Sequence, residues 1–215
     1  GFYNTALGSN ALRVTTTANN NTAVGYQSLY DNITGASNTA IGTNALGNNT
    51  TASNNTAVGY QALLDNTTGF NNIAVGGLAL SNNTTASNST AVGYQAGYSN
   101  TTGNISAFGY QALYSNTTGV YSTAFGEGAL RFNTTANQNT AMGWQAGYTN
   151  TTGTEISAVG YVAGINNTAS ELTTFGSQSA RSNTTGAKNS AFGRAALYSN
   201  TTGAFNTALG NDALL

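Results

Sequence analysis

Residues 55–71 read Asn-Thr-Ala-Val-Gly-Tyr-Gln-Ala-Leu-Leu-Asp-Asn-Thr-Thr-Gly-Phe-Asn, and variants of this 17-residue phrase fill the whole chain. Its landmark is a small residue followed by a large apolar residue and a glycine, and this landmark occurs 13 times. Ten of the 12 intervals between these glycines are 17 residues long, and two are 16. A period this short and regular predicts stacked coils of one solenoid. The glycines, here called corner glycines, are Gly8, Gly25, Gly42, Gly59, Gly76, Gly93, Gly109, Gly126, Gly143, Gly160, Gly176, Gly193 and Gly210.

The residue types of the repeat favour strands and turns. Seventeen residues leave no room for a helical hairpin, and Thr, Val, Phe and Tyr beside Gly and Asn are typical of β-structure. We predict an all-β fold: a parallel β-solenoid, or β-roll, of 13 coils, with residues 1–215 forming a single repeat domain. Because the pattern is already under way at both ends, we expect the chain to be a fragment of a longer protein. The two short intervals predict single-residue deletions, between Gly103 and Gly109 and between Gly160 and Ala169.

Aligned repeats form columns of equivalent residues. The residue before each corner glycine, such as Val58, is always large and apolar, and we predict that this column points into the core. The residue before that is Ala in 12 of 13 repeats, which predicts close packing against the opposite face. A second apolar column lies four residues after the glycine, as at Leu63. Since the two columns are five residues apart, the chain must bend at the glycine, which either has positive φ or lacks space for a Cβ.

Composition excludes most catalytic chemistry. Only 5% of the residues are charged, against about 25% in typical soluble domains. With no His and no Cys, the chain cannot supply a His acid or base, a thiolate nucleophile or a zinc site with the usual ligands. The six acids are scattered among the coils. We therefore predict that the protein is not an enzyme and has no catalytic residue, no cofactor and no metal site.

Charge and hydropathy also bear on partners. A net charge of −1 gives no attraction for a nucleic-acid backbone, so we expect no nucleic-acid partner. No apolar run approaches the ~18 residues of a membrane span, so we expect no membrane insertion.

An Asn-x-Thr triplet recurs at one place in 11 of the 12 segments between corner glycines. Each triplet is formally an acceptor for N-glycosylation. The alternative is a turn ladder, in which Asn and Thr side chains hydrogen-bond the backbone and one another from coil to coil. The candidate residues are Asn32, Asn49, Asn66, Asn83, Asn100, Asn116, Asn133, Asn150, Asn166, Asn183 and Asn200.

Aromatic residues follow six of the corner glycines. An exposed aromatic row could stack on sugars, whereas the alternative is packing between coils or between subunits. The candidate contact residues are Tyr26, Tyr60, Tyr94, Tyr110, Trp144 and Tyr161.

The phrases at 55–63 and 88–96 resemble the head repeats of trimeric autotransporter adhesins, and more closely the repeats of phage tail-fibre and related surface-fibre proteins. The resemblance extends over all 13 repeats, although the coil is longer than that of the adhesin head. It implies a parallel β-roll that assembles into a homotrimer and serves attachment, with no catalytic residues.

Together these observations predict a non-enzymatic extracellular fibre segment, the structural rod of a surface adhesin or phage tail fibre. Its partners would be further copies of the chain, in a homotrimer or filament, and a cell-surface glycan or receptor. Its place would be extracellular, on a cell surface or a virion. One alternative is a self-assembling, glycosylated structural filament. Another is an ice-binding solenoid, although that design favours Thr-x-Thr on a flat strand and the threonine pairs here are adjacent, in turns.

Overall fold

The structure is a computed structural model that describes all residues from Gly1 to Leu215. It is all-β, without helix, and each repeat contributes one short strand. The strands are parallel, and their order in the sheet is their order in the chain. The predicted parallel β-solenoid with a 17-residue repeat is confirmed. The strands are β1 Thr5–Leu7, β2 Thr22–Val24, β3 Thr39–Ile41, β4 Thr56–Val58, β5 Ile73–Val75, β6 Thr90–Val92, β7 Ile105–Phe108, β8 Ser122–Phe125, β9 Thr140–Met142, β10 Ser157–Val159, β11 Thr173–Phe175, β12 Ser190–Phe192 and β13 Thr207–Leu209.

The coils group into two compact units, residues 1–105 and 106–215. Within each unit, equivalent residues of successive repeats pair directly. In the first unit Ala40 pairs with Ala57, and in the second Ala141 pairs with Ala158. A slip of one residue would exchange the two faces of a strand, so this register keeps each column of the repeat on one face.

The strands point their alanines inward, which reverses the prediction for the two faces. Ala57 is fully buried, whereas Val58 is only half-buried, and Ile41 and Phe125 are 40% and 55% exposed. The prediction that the pre-glycine column lies in the core was wrong. Because neighbouring residues of a strand point to opposite faces, only one of the two can face inward. The interior of a regular coil already holds a leucine and asparagines, such as Leu63 and Asn66, so a methyl group is what fits.

The one exception to the alanine column keeps the same orientation. Thr174 is fully buried, and its hydroxyl donates to the Ser179 hydroxyl, which replaces a buried alanine of other repeats. The exchange of two alanines for a hydrogen-bonded pair keeps the buried polar groups satisfied.

Replacing Ala57 by Leu is therefore expected to destabilise the coil itself. Three added carbons at a fully buried position cost about 3 kcal/mol or more through overpacking. The matched change Val58→Leu adds one carbon to a half-buried side chain and should change stability by less than about 1 kcal/mol. Urea unfolding followed by circular dichroism compares the two. Equal midpoints for both variants would contradict the inward orientation of the alanine column.

The leucine column is buried, as predicted, and it has a left-handed backbone. Leu63 has φ 51°, and the residue two before it, Gln61, has φ 53°. The chain here makes consecutive tight turns, such as the one closed by the Ala62 nitrogen on the Gly59 carbonyl at 3.4 Å. A turn of this kind needs positive φ at its third residue. The fully buried leucines are Leu29, Leu46, Leu63, Leu80, Leu113 and Leu130.

Three coils have glycine in place of the leucine, and a large apolar side chain from another position of the repeat fills the space. Gly97 has φ 60°, which glycine adopts without strain, and a Cβ there would lie 2.9 Å from Ile105 Cδ1. Gly164 is arranged similarly, with Leu172 Cδ2 at 3.1 Å from the place of its Cβ. Ile105 and Leu172 occupy a column that is mostly asparagine, so the large apolar side chain enters the coil from a different position. The third coil pairs Gly147 with a buried Ile156 in the same two columns.

Every corner glycine is required for its positive φ and most also for lack of space, whereas a Cβ at Gly210 in the last coil would meet no atom closer than 3.9 Å. The φ angles lie between 127° and 143°, a region that residues with a Cβ rarely adopt. A Cβ at Gly59 would also lie 2.5 Å from the carbonyl oxygen of Gly76 in the next coil. The close approach of successive backbones therefore excludes any side chain at the corner.

Candidate functional site

The asparagines of the Asn-x-Thr triplets form a ladder inside the coils. Asn66 Nδ2 donates to Asn49 Oδ1 in the preceding coil and to the Gly69 carbonyl in its own turn, both at 2.9 Å. Asn66 Oδ1 in turn accepts from Asn83 Nδ2 at 2.9 Å. The Asn66 side chain is fully buried, and both its amide nitrogen and its amide oxygen make their hydrogen bonds within the solenoid. Of the two interpretations of the triplets, the geometry here is that of the turn ladder.

This burial bears on glycosylation. The nitrogen that would carry a glycan already donates two hydrogen bonds and has no contact with solvent, so a folded coil offers no acceptor at Asn66. Exposed Asn-x-Thr triplets that were not recognised from the sequence begin instead at Asn20, Asn48, Asn54 and Asn88. The candidates buried in the same way as Asn66 are Asn32, Asn49, Asn83, Asn100, Asn116, Asn133, Asn150 and Asn183, and Asn200 in the last coil is half-buried.

One candidate residue was assigned wrongly. Asn166 is exposed, and the ladder position belongs to Asn167, which accepts from Asn183 Nδ2 at 2.6 Å. The coil is one residue short directly after this position. Asn167 Nδ2 therefore donates to the carbonyl two residues ahead, that of Ala169, where other coils use the carbonyl three residues ahead. Of the two adjacent asparagines only Asn166 is followed two residues later by a threonine, because the shortened repeat places Ala169 there after Asn167; the triplet pattern therefore selected Asn166.

A second buried ladder was not predicted. It uses the asparagine that directly precedes many strands. Asn38 Oδ1 accepts from the Asn55 backbone nitrogen at 2.9 Å, and Asn38 Nδ2 donates to the Ala52 carbonyl at 2.9 Å. The sequence did carry a sign of this second ladder, because an asparagine is the first residue of the repeated Asn-Thr-Ala-Val-Gly phrase. The two ladders together provide hydrogen-bond partners for buried backbone groups, such as the Ala52 carbonyl and the Asn55 nitrogen.

The predicted contact aromatics are on the surface, but they do not form a continuous row. Their exposed fractions run from 39% to 56%. Trp144 and Tyr161 stack with their ring centroids 5.1 Å apart and their planes 11° apart. Tyr26 and Tyr60 are separated by the coil of Thr43, and Tyr94 lies beside Gly77, which has no side chain. The residues concerned are Tyr26, Tyr60, Tyr94, Tyr110, Trp144 and Tyr161.

The basic residues are engaged within the chain. Arg131 lies among the rings of Tyr114, Phe132 and Tyr148, at 5.2–5.7 Å from their centroids, and its Nη1 donates to the Tyr148 hydroxyl at 2.6 Å. Arg13 contacts Tyr30, and Arg181 contacts Tyr198, in the same manner. Arg194 pairs with Asp212 at 3.1 Å, and Lys188 lies 3.8 Å from Glu171. Most of these contacts tie one coil to the next.

Apolar side chains also project from the outer face of the strands in each unit. The residues before the corner glycines form what we call the outer stripe. Phe175 and Phe192 stack along it with ring centroids 5.6 Å apart and planes 7° apart. Exposed apolar side chains that lie side by side in this way mark interaction surfaces in soluble proteins. The outer stripe consists of Leu7, Val24, Ile41, Val58, Val75, Val92, Phe108, Phe125, Met142, Val159, Phe175, Phe192 and Leu209.

No protein-family model, curated protein sequence or solved structure matches the chain. The function is therefore inferred from the surface of the molecule itself. The chain has no group of three or more acidic, His or Cys side chains placed to hold a metal ion. It also has no helix that could cross a bilayer.

Proposed function

We propose that the chain is a segment of an extracellular, non-enzymatic fibre that associates with further copies of itself through the outer stripe and serves attachment. The observation that carries the proposal is the large apolar residue on every strand, on the face opposite the buried alanines: it is exposed on eight strands and half-buried on the other five. A monomeric protein in water gains nothing from this pattern, because the same strand position could hold threonine or lysine at no cost to the interior.

The geometry of the stripe favours a second copy of the chain as the occupant. Parallel strands lie about 4.8 Å apart, so the stripe presents one apolar side chain at each such step. Another copy has the same spacing, and its side chains can interdigitate along the full contact. A standard interface buries about 800 Å² on each partner, and each unit offers exposed apolar side chains to such a contact, Ile41 and Val75 in the first and Phe125 and Phe175 in the second.

The resemblance of residues 55–63 and 88–96 to adhesin and tail-fibre repeats supports three copies around a common axis, with the outer stripes facing that axis. A filament of laterally associated chains uses the same surface. Attachment is supported by that resemblance and by the exposed aromatic residues, and the lack of His and Cys favours a structural role over catalysis.

The test is to place charge on the stripe. The Val58→Asp and Val75→Asp double variant is expected to shift the protein from a multiple of 21.8 kDa to the monomer mass, because association would bury unpaired carboxylates. The matched control, Thr51→Asp with Thr68→Asp, adds the same charge to exposed turn positions and should leave the mass unchanged. Sedimentation equilibrium measures both. A wild-type chain that is monomeric at micromolar concentration overturns the proposal.

Ice binding is a second candidate, favoured by one observation. The outer face of the first unit carries threonine beside a β-branched residue on each of several strands, as in Thr22 with Val24 and Thr39 with Ile41. These strand threonines, and not the turn threonines considered from the sequence, lie in register on the outer face of paired strands, as such a function needs. Thermal hysteresis from a monomeric chain would favour this use of the face over self-association.

A further inference from the structure

A pocket opens on the first unit where one outward column of the repeat lacks a side chain. The position five residues after each corner glycine holds Tyr, Arg, Leu, Ile or Ser in other coils, but it is Gly47 in the third. Tyr30 and Leu64, at the same position in the neighbouring coils, stand on either side of the gap. The resulting pocket has a volume of about 230 Å³. The loss of one side chain from a regular stack therefore creates a concave site without any insertion.

Polar side chains surround this gap. Gln27 and Asn44 line it from one column, and Asp31 and Asn48 from another. The side chains of Gln27, Asn44 and Asp31 make no hydrogen bond within the chain, although all three are partly buried. Asn48 Nδ2 is held by Asp65 Oδ1 at 2.9 Å. Three unpaired polar groups thus surround a space between an aromatic ring and an aliphatic side chain.

The walls of the pocket are held in place before any ligand arrives. The Asp31 nitrogen donates to the Gly47 carbonyl at 3.0 Å, and the Asn48 nitrogen donates to the Leu64 carbonyl at 3.0 Å. The Tyr30 hydroxyl accepts from Arg13, whose guanidinium also lies 5.3 Å from the centre of the Tyr30 ring. A site on such fixed elements loses little side-chain entropy on binding.

We propose that this pocket binds one ring of a neutral pyranose sugar. Amide groups both donate and accept, and a carboxylate accepts from two hydroxyls, which matches a ring that carries hydroxyls on its edge. The Tyr30 ring and the Leu64 side chain cover the C–H faces of such a ring. The volume is below the ~300 Å³ of pockets for drug-sized molecules, which limits the occupant to one ring. Asp31 and Asp65 repel an anionic sugar. The inference deepens the attachment part of the proposed function, but it does not require association of copies.

The decisive variant is Gly47→Tyr, which restores the side chain that this column carries in other coils and fills the pocket. Gly47 does not have a left-handed backbone, and the atom closest to an added Cβ, at 3.0 Å, is the end of the flexible Leu64 side chain. The control is Ile165→Tyr, which makes a tyrosine at the same repeat position in the second unit. Two further variants leave the space of the pocket open. Asp31→Asn removes the charge of the side chain at constant shape. Gln27→Leu removes the amide, and the fold tolerates leucine at this repeat position because Leu78 occupies it in a later coil.

Binding is measured on the full chain by saturation-transfer NMR and calorimetry. The probes are the methyl glycosides of glucose, galactose, mannose and N-acetylglucosamine, with N-acetylneuraminic acid, glycerol and calcium chloride for comparison. We expect saturable millimolar binding of at least one neutral glycoside. It should weaken about tenfold or more in Gly47→Tyr and in Asp31→Asn, and remain unchanged in Ile165→Tyr. If Gly47→Tyr does not fold, the Asp31→Asn and Gln27→Leu results decide.

The proposal is overturned if no neutral glycoside binds, if Gly47→Tyr binds as well as the wild type, or if glycerol, calcium or the anionic sugar binds more tightly. The mass of the same sample separates this result from that of self-association. A monomeric chain that binds the glycoside supports the pocket and contradicts the fibre, and an assembled chain that binds none gives the reverse.

Discussion

Exchanging Asn66 for Asp is expected to cost several kcal/mol of unfolding free energy, although the two side chains have the same shape. The Asn66 amide donates to Asn49 Oδ1 and to the Gly69 carbonyl, at 2.9 Å each. A carboxylate would place a negatively charged oxygen against these two acceptors in a fully buried position. Asn49 Oδ1 would lose its donor, the Gly69 carbonyl would keep only the bond from Asn55 Nδ2, and the charge would have no counterion nearby.

The unfolding free energy lost in Asn66→Asp should depend on pH, and burial of the carboxyl determines whether the loss grows or shrinks as the pH rises. Burial beside two acceptors, with the Asn83 amide as the one donor, raises the pKa of the introduced carboxyl in the folded state above its unfolded value of about 3.9. The penalty is therefore smallest below about pH 4, where both states are protonated, and it grows as the pH rises toward the folded-state pKa. The control is Asn54→Asp, at an exposed residue without a side-chain hydrogen bond, and it should change stability by about 0.5 kcal/mol or less. Urea unfolding at pH 3 and pH 7 makes the comparison. If Asn66→Asp matched its control at pH 7, the ladder would not stabilise the coil.

Gly59→Ala is expected to have an effect of similar size, about 3 kcal/mol or more, from a single added carbon. That carbon would lie 2.5 Å from the Gly76 carbonyl oxygen and 2.6 Å from its carbonyl carbon, on a backbone with φ 138°. Both atoms that it meets belong to the backbone of the next coil, so neither can move aside without breaking the stack.

The matched control for this variant is Gly77→Ala. The added carbon there lies 3.4 Å from the Tyr94 ring, an ordinary contact, and Gly77 does not have positive φ. Its thermal midpoint should stay close to that of the wild type, while that of Gly59→Ala should fall by several degrees. Similar midpoints for the two variants would show that the coils have more freedom than their spacing suggests.

Periodicity alone was sufficient to predict the fold. The corner glycines set the length of the coil, and the leucine column, represented by Leu63, identified one side of the core. The orientation of the strand was predicted wrongly because Ala57 and Val58 are both apolar, and size favours the larger one for burial. What reverses the choice is the width of the coil, which depends on two asparagines and a leucine from other parts of the repeat. That width is known only from the closed coil, because it depends on side chains that are distant from the strand in the sequence.

The surface was harder to predict than the core. The Asn-x-Thr triplets were recognised with both of their interpretations, and burial at Asn66 is what distinguishes them. The pocket beside Gly47 had no motif at all, because its signal is a missing side chain. Only the stacking of Tyr30 and Leu64 on either side turns that absence into a cavity.

The asparagine ladder also determines how such a protein can change in length. In its regular part every rung joins residues 17 apart, such as Asn49, Asn66 and Asn83. Removing any 17 consecutive residues between them would bring Asn83 next to Asn49 and restore every partner, whereas removing eight or nine would leave buried amides facing the wrong groups. Gene duplication and recombination can therefore lengthen or shorten the molecule in whole coils. The length of the molecule is therefore expected to differ between related proteins by whole numbers of coils.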